Sequence, residues 1–404
     1  MFSYYQSAKK NNINFLELMR RAFSQAHFHW TIFWLGQFCK IKKLPVEKNS
    51  NIPKKIVIFT LDQLGDTLRA TPALRALRET FPEARITVIC GKYNFPVLEN
   101  NPDINQYLKI SKYPNLFESL ALLKKIKKEK YTHAFIFSFG SLFAKYANYI
   151  FFLARIPERI GGDYVFPEKL PTKRISKSKK RNHIETLIEV VELVGAKTND
   201  FSKKIYLTKE ETIWTEKFLQ KYNFSDNNKL IVVSPGGYGH VGYSVSRLWP
   251  KENYIKLISK IIDDHPNAKI FLTGNKREIE LCREICNGVD NNRVQSIAGK
   301  ISVRELAALL ARADLIVSND NGTFHIADAA GARNIAVILG PTDAAVMSES
   351  RNQNIKILSG RRDCGPCIDI HGFHPCTQPN SQQICLTNLS ADEVYEKIKY
   401  ILCQ

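Results

Sequence analysis

From residue 54 onward the chain alternates short apolar runs with stretches of helical period. Lys55–Thr60 (KIVIFT), Arg85–Cys90 (RITVIC) and Ala134–Phe139 (AFIFSF) read as buried strands, since brief β-branched and aromatic runs suit a sheet covered on both faces. Pro72–Thr80, Leu116–Lys128 and Ile184–Val194 carry amphipathic helical spacing between and after them. The pattern restarts after about residue 205. Leu230–Ser234, Lys269–Thr273, Leu315–Ser318 and Asn334–Leu339 read as strands, separated by helical Lys251–Asp263, Lys276–Cys286 and Val303–Ala311. Such alternation predicts an α/β protein of two doubly wound, mostly parallel domains, with the boundary in Gly195–Lys209 and the ligand site in the crevice between them. A length of 404 residues, more than one core usually serves, agrees.

The first 50 residues follow another pattern. Residues 27–39 (HFHWTIFWLGQFC) are apolar and aromatic but number 13, too few to span a bilayer. They continue a helical pattern through Phe15, Leu16, Leu18, Met19 and Phe23, and Lys40, Lys42 and Lys43 follow. Two readings stay open: a helix lying in a membrane interface, or a helix packed on the protein body. Pro45 to Pro53 reads as a linker. The expected organisation is an extension at 1–50, a first domain at 51–205 and a second at 206–404.

Charge sharpens the difference between the halves. Of the net +19, residues 1–200 carry 33 Lys/Arg against 17 Asp/Glu, and residues 201–404 carry 25 against 22. Lys124, Lys125, Lys127, Lys128 and Lys130 form one basic run; Lys173, Arg174, Lys177, Lys179, Lys180 and Arg181 form another. A basic half facing a near-neutral one implies different partners: nucleic acid, an anionic membrane or a phosphorylated glycolipid would each suit the first. Nine cysteines and no secretory cleavage site place the expectation in the reducing cytosol.

Four segments carry candidate chemistry. Leu61-Asp62-Gln63-Leu64-Gly65-Asp66-Thr67 follows the first strand. Gly65 lets the backbone approach a ligand, and Asp66 falls where a helix would begin, as an ionised carboxylate or merely a cap, with Asp62 the weaker candidate. Ser234-Pro235-Gly236-Gly237-Tyr238 follows the first strand of the second domain and can cradle a phosphate. Ser246-Arg247-Leu248-Trp249-Pro250 then brings a cation, while Trp249-Pro250 sets the start of a helix. Ser318-Asn319-Asp320-Asn321-Gly322-Thr323-Phe324-His325 is strand, loop and helix, an anion site at a helix N-terminus, with Gly340-Pro341-Thr342-Asp343 as a further crevice loop. Cys364, Cys367, Cys376 and Cys385, interleaved with His371 and His374, are a candidate structural zinc site or a thiol-ordered loop.

Taken in order, these segments resemble glycosyltransferase family 9, the ADP-heptose:lipopolysaccharide heptosyltransferases, over about residues 54–402. The likeness rests on Leu64-Gly65-Asp66, Thr71-Pro72-Ala73-Leu74-Arg75-Ala76-Leu77, Pro235-Gly236-Gly237, Arg247-Leu248-Trp249-Pro250, Asp320 through His325 with Ala327, Gly340 through Asp343, and the late Cys-Gly-Pro-Cys…Cys…Cys-Leu pattern. The resemblance implies a GT-B fold, two Rossmann-like domains facing a central cleft. The first would bind the acceptor and the second the nucleotide sugar, with a last helix at about Ala391–Leu402 returning towards the first. It implies inverting transfer that needs no metal or other cofactor. Asp66 matches the general base, Arg247 stands where members place a phosphate-binding Lys, and Asp320, Asn321, Gly322, Thr323 and His325 match the donor loop beside Gly236 and Gly237. The implied partners are ADP-heptose and an anionic glycolipid acceptor, met by a cytoplasmic protein peripheral to the inner membrane, and not nucleic acid. Departures are Arg247 for Lys, Asn321 and Thr323 for the usual Thr and Leu, Lys276 near a usual acidic position, and the 50-residue extension. Three rivals stand beside this reading: a family 9 enzyme with another nucleotide sugar and glycan, a sugar-nucleotide epimerase of similar architecture, and a membrane-associated or nucleic-acid-binding protein without catalysis.

Overall fold

Each apolar run read above as a strand forms one, and each lies between parallel neighbours or beside one. The computed structural model describes residues 15–41, 52–139, 141–162, 164–175, 182–237, 247–344, 352–360, 364, 366–369, 372–373 and 384–403. Tyr238, Ser246, His371, His374, Cys376 and the lysines and arginine at 177, 179, 180 and 181 lie outside these. The chain divides into two units at Lys203 and Lys204.

The N-terminal unit is a six-stranded sheet, β1 (Lys55–Thr60), β2 (Arg85–Gly91), β3 (Gln106–Ile110), β4 (His133–Ile136), β5 (Glu158–Gly161) and β6 (Lys173–Arg174), in the order β3-β2-β1-β4-β5-β6. Every pairing is parallel, with β1 registered Ile56 on Ile86 and on His133. The order reverses beside β1, so the loops after β1 and β4 flank the switch point where an open parallel sheet binds ligands. Helix α1 (Phe15–Ile41) buries Phe28, Ile32, Leu35 and Cys39 in the same cluster as Phe59 of β1 and Tyr146, Ile150 and Phe151 of the later helix Ser141–Leu153. Of the two readings left open for residues 27–39, packing on the body therefore describes one face of this helix. Among the described residues no helix is long and apolar enough to cross a membrane. After the short α2 (Leu64–Arg69), the other sheet face is covered by α3 (Thr71–Thr80) and the helix His183–Glu192, through Ala73, Leu74, Leu77, Leu187 and Val191.

The C-terminal unit repeats the plan. Its strands are β7 (Lys229–Ser234), β8 (Ala268–Leu272), β9 (Val294–Ser296), β10 (Leu315–Asn319), β11 (Ile335–Ile338) and β12 (Ile355–Leu358), ordered β12-β11-β10-β7-β8-β9 and all parallel. Here the switch point lies between β7 and β10. Helix Ala391–Leu402 begins with a capping box, Ser390 and Glu393 each closing on the other's backbone N–H. Its buried Val394, Tyr395, Ile398 and Ile401 share a cluster with Leu257, Ile258 and Ile261 of helix Lys251–Asp264.

Two outcomes follow from this packing. Phe28→Ala should cost about 3–5 kcal/mol in urea unfolding, as a fully buried ring is lost with little collapse of the site; a loss below about 1 kcal/mol would mean that α1 is not part of the core. His133, 2% exposed in β4, has its pKa lowered from 6.5 to about 4, chiefly by burial. The unfolded chain then binds a proton that the folded one refuses. Stability should be full above pH 6.5 and fall towards pH 4 by roughly 3 kcal/mol at most. Unfolding midpoints across that range check this, and His133→Gln should flatten the decline.

Candidate functional site

The loop leaving β1 is held by side chains at the switch point. Ser138 Oγ accepts from the Leu61 N–H at 2.9 Å, and Asp62 Oδ2 accepts from the Phe139 N–H at 2.7 Å, so the tips of β1 and β4 are tied together. Asn94 adds a second strap, donating to Thr67 Oγ1 at 2.7 Å and to the Thr60 carbonyl at 3.2 Å. Tyr93 donates its hydroxyl to the Leu61 carbonyl. Asp62, 6% exposed, is in this setting a strut for the loop. Gly65 is buried within the short α2, whose N-cap is Gln63.

Asp66 therefore does not cap α2; it lies in the first turn. Its Oδ1 receives a 2.6 Å bond from Arg69 Nη1, one turn on, and lies 3.8 Å from His183 Nδ1. The Arg69 side chain is 8% exposed and that of Asp66 26%, which leaves the carboxylate within reach of a ligand while its partner is held inside. The His183 ring stacks on Phe139 at 4.2 Å and 15°, so the residue whose amide binds Asp62 also seats the imidazole. Sequence reading passed over Arg69 and His183. Arg69 was findable as the i+3 partner of Asp66; His183, 117 positions away, carried no local signal. Arg75 in the Thr71–Leu77 motif is structural, bonded to the carbonyls of Asp200 and Ser202 at 3.1 and 2.9 Å.

In the C-terminal unit the loops after β7 and β10 are joined by amide side chains. Asn319 Nδ2 donates to the Pro235 carbonyl at 2.7 Å, and Asn321 Nδ2 to the Gly236 carbonyl at 2.7 Å and Ser234 Oγ at 3.0 Å. Asn321 Oδ1 accepts from the Thr323 N–H at 2.8 Å, capping helix Gly322–Ala329. Tyr254, fully buried, donates to Asn319 Oδ1 at 2.8 Å. Asp320 accepts from Thr342 Oγ1 at 2.5 Å and stands 3.5 Å from Arg247 Nη1. Arg247, Asp320 and the Gly340–Asp343 loop thus meet, while Gly237 packs against the Arg247 backbone and Leu248. His325 is buried beside Phe324, ring centroids 4.6 Å apart. Trp249 donates to the Leu389 carbonyl at 2.8 Å and Pro250 precedes helix Lys251–Asp264, a structural pair as read from the sequence.

The glycines differ in what they are for. A Cβ on Gly236 would lie 2.0 Å from Glu278 Oε1, whereas one on Gly322 would meet nothing within 4 Å. Glu278 accepts from the Asn275 N–H at 2.7 Å and is buried against the Pro-Gly-Gly turn; Lys276 beside it is exposed. An acidic group thus stands two residues after Lys276, against the Pro-Gly-Gly turn. Asn319, Thr342 and Glu278 were not singled out from the sequence.

Of the cysteine cluster, Cys385 is buried in the core beside Leu386 and Leu389, and Cys364 and Cys367 are half-buried. The amides of Cys367 and Ile368 donate to the Pro341 carbonyl at 2.8 and 3.0 Å, so this segment braces the loop that supplies Thr342. Among the described residues no group of three His, Cys, Asp or Glu side chains could hold a metal ion. Cys376 and both histidines lie outside them.

Residues 119–376 match glycosyltransferase family 9 (heptosyltransferase), well over half of the chain. Lipooligosaccharide heptosyltransferase 2 of Campylobacter jejuni is 24% identical over 352 residues, covering 86% of this chain and 98% of that protein. The family 9 glycosyl transferase of Veillonella parvula superposes with a TM-score of 0.74 at 20% identity, over 89% of this chain and 99% of that one. Escherichia coli heptosyltransferase WaaC with ADP-2-deoxy-2-fluoro heptose gives 0.61 at 18%, over 86% and 99%. These likenesses identify the two six-stranded parallel sheets as the GT-B-like architecture expected from the sequence. The chain belongs to glycosyltransferase family 9, the heptosyltransferase family.

Proposed function

We propose that this protein transfers heptose from ADP-heptose, with inversion and without a metal, to the inner core of lipopolysaccharide or a related lipid-linked saccharide at the cytoplasmic face of the inner membrane. The observation that carries this is the setting of Asp66, a partly exposed carboxylate at a switch-point loop with one oxygen fixed by a buried arginine. Fixing Oδ1 orients the group, and Oδ2 takes the proton as the acceptor hydroxyl attacks the anomeric carbon. A placed base of this kind contributes about 10²–10⁴ in rate.

The departing nucleoside diphosphate gathers negative charge. Arg247, the first amides of helix Gly322–Ala329 and the open approach beside Gly322 are the groups that would receive it. Asp320 orients Arg247, and Thr342 orients Asp320. Asn321, Thr323 and His325 shape the same loop, with Gly236 and Gly237 opposite it across the β7–β10 switch point. The WaaC structure holds ADP-2-deoxy-2-fluoro heptose, which supports that donor here. The basic N-terminal half suits an anionic acceptor. A donor other than ADP-heptose remains the rival within the family, and turnover with a UDP- or GDP-sugar but not ADP-heptose would decide for it.

Asp66→Asn should lower transfer by about 10²–10⁴ while calorimetry finds donor affinity unchanged; a wild-type rate removes Asp66 as the base. Arg247→Ala should weaken donor binding by roughly tenfold to a hundredfold, the worth of a lost hydrogen bond to a charged group. Unchanged affinity counts against its role.

A further inference from the structure

Helix α1 is apolar on two faces, and only one of them is covered. At 100° per residue, Phe28, Ile32, Leu35 and Cys39 point into the core, and Phe23, Trp30, Phe33, Trp34 and Phe38 point away from it. The outward rings are 39–64% exposed. Four of them contact one another, Trp30 to Trp34 at 5.8 Å, Phe33 to Trp34 at 5.9 Å and Trp34 to Phe38 at 6.5 Å. No Lys, Arg, Asp or Glu occurs from Ala22 to Cys39.

A second exposed patch adjoins it. Gln25 Nε2 donates to Tyr113 Oη at 3.0 Å, and Phe28 lies 5.7 Å from the same ring. Tyr113 leads directly into helix Leu116–Glu129, whose first turns expose Phe117 (83%) and Leu120 (46%). Lys124, Lys125, Lys127 and Lys128 then occupy exposed positions along the same helix, followed by Lys130. Lys112 Nζ lies 5.7 Å over the Tyr113 ring, adding a cation at the junction.

We infer that the outer face of α1 and the exposed side of helix Leu116–Glu129 form one docking surface for an anionic phospholipid bilayer. Aromatic rings enter the headgroup boundary, where tryptophan is favoured, and the lysine run faces the lipid phosphates. Charge selects the occupant: an acidic membrane matches five lysines, whereas a second copy of this basic half would bring like charge to like. The inference deepens the membrane contact in the reading above by naming its residues. Its test uses no sugar, so its failure leaves the transfer reaction untouched.

The test is co-sedimentation of the full chain with vesicles of phosphatidylcholine alone or mixed with phosphatidylglycerol. A parallel measurement follows quenching of tryptophan by brominated acyl chains. Wild-type protein should bind the phosphatidylglycerol vesicles, less so at high salt, and show quenching. Lys124→Glu, Lys125→Glu and Lys128→Glu together should weaken binding at least roughly a hundredfold, from about fivefold per lysine near such a surface. Trp30→Ser with Trp34→Ser should abolish quenching and cut binding roughly tenfold or more, with thermal unfolding unchanged because both rings face outward. Wild type remaining in the supernatant with both vesicle types overturns the proposal, as does undiminished binding by either variant. Self-association in solution that Trp30→Ser with Trp34→Ser removes, without vesicle binding, overturns it in favour of a second copy.

Discussion

Where a parallel sheet reverses its strand order, the tips of two neighbouring strands part and their backbone groups lose ladder partners. In this protein side chains take over. Asp62 and Ser138 close the gap between β1 and β4, and Asn319 and Asn321 close it between β7 and β10. A buried backbone group left without a partner costs about 1–3 kcal/mol, and these few contacts offset that cost at both loops. The residues proposed for chemistry ride on them. Asp66 is four positions past Asp62, and Asp320 sits between the two asparagines.

The two tips use different chemistry for the same task. At the first, a carboxylate accepts from a backbone amide, and the neighbouring carboxylate, Asp66, is balanced by Arg69. At the second, neutral amides donate to carbonyls, which leaves the loop's one carboxylate, Asp320, to engage Thr342 and Arg247. The first arrangement presents a partly exposed carboxylate beside a fixed cation; the second presents a cation beside a helix entrance. The proposed proton removal and reception of a leaving diphosphate would use these two settings respectively.

Much of the fold was legible because a strand buried on both faces needs an unbroken apolar run. Lys55–Thr60 in the sequence is β1 residue for residue, and the helical spacing from Val303 to Ala311 lies within helix Val303–Arg312. Short edge strands such as β6 and β9 escaped, since Lys173–Arg174 and Val294–Ser296 carry no hydrophobic pattern. At the site the loops were readable from Gly and Asp after strands, but their internal wiring was not. Asp62, a weaker ligand candidate in the sequence, also braces its loop, through an amide of Phe139 just beyond β4 that no local pattern announces. Gly236 and Gly322 looked alike, yet one is required by Glu278 and the other borders open space. Contacts between residues far apart in sequence made each of these distinctions.

The burial of Phe28 bears on where the folded N-terminal unit begins. Residues 15–41 lie outside the stretch that matches the family, yet Phe28, Ile32 and Leu35 complete a cluster with Phe59, Tyr146 and Phe151. A chain trimmed to start at the linker would bare a socket of aromatic rings reaching the first β-strand itself. The stretch that the sequence left open between an interfacial helix and a packed one is, on its inner face, a layer of the N-terminal fold.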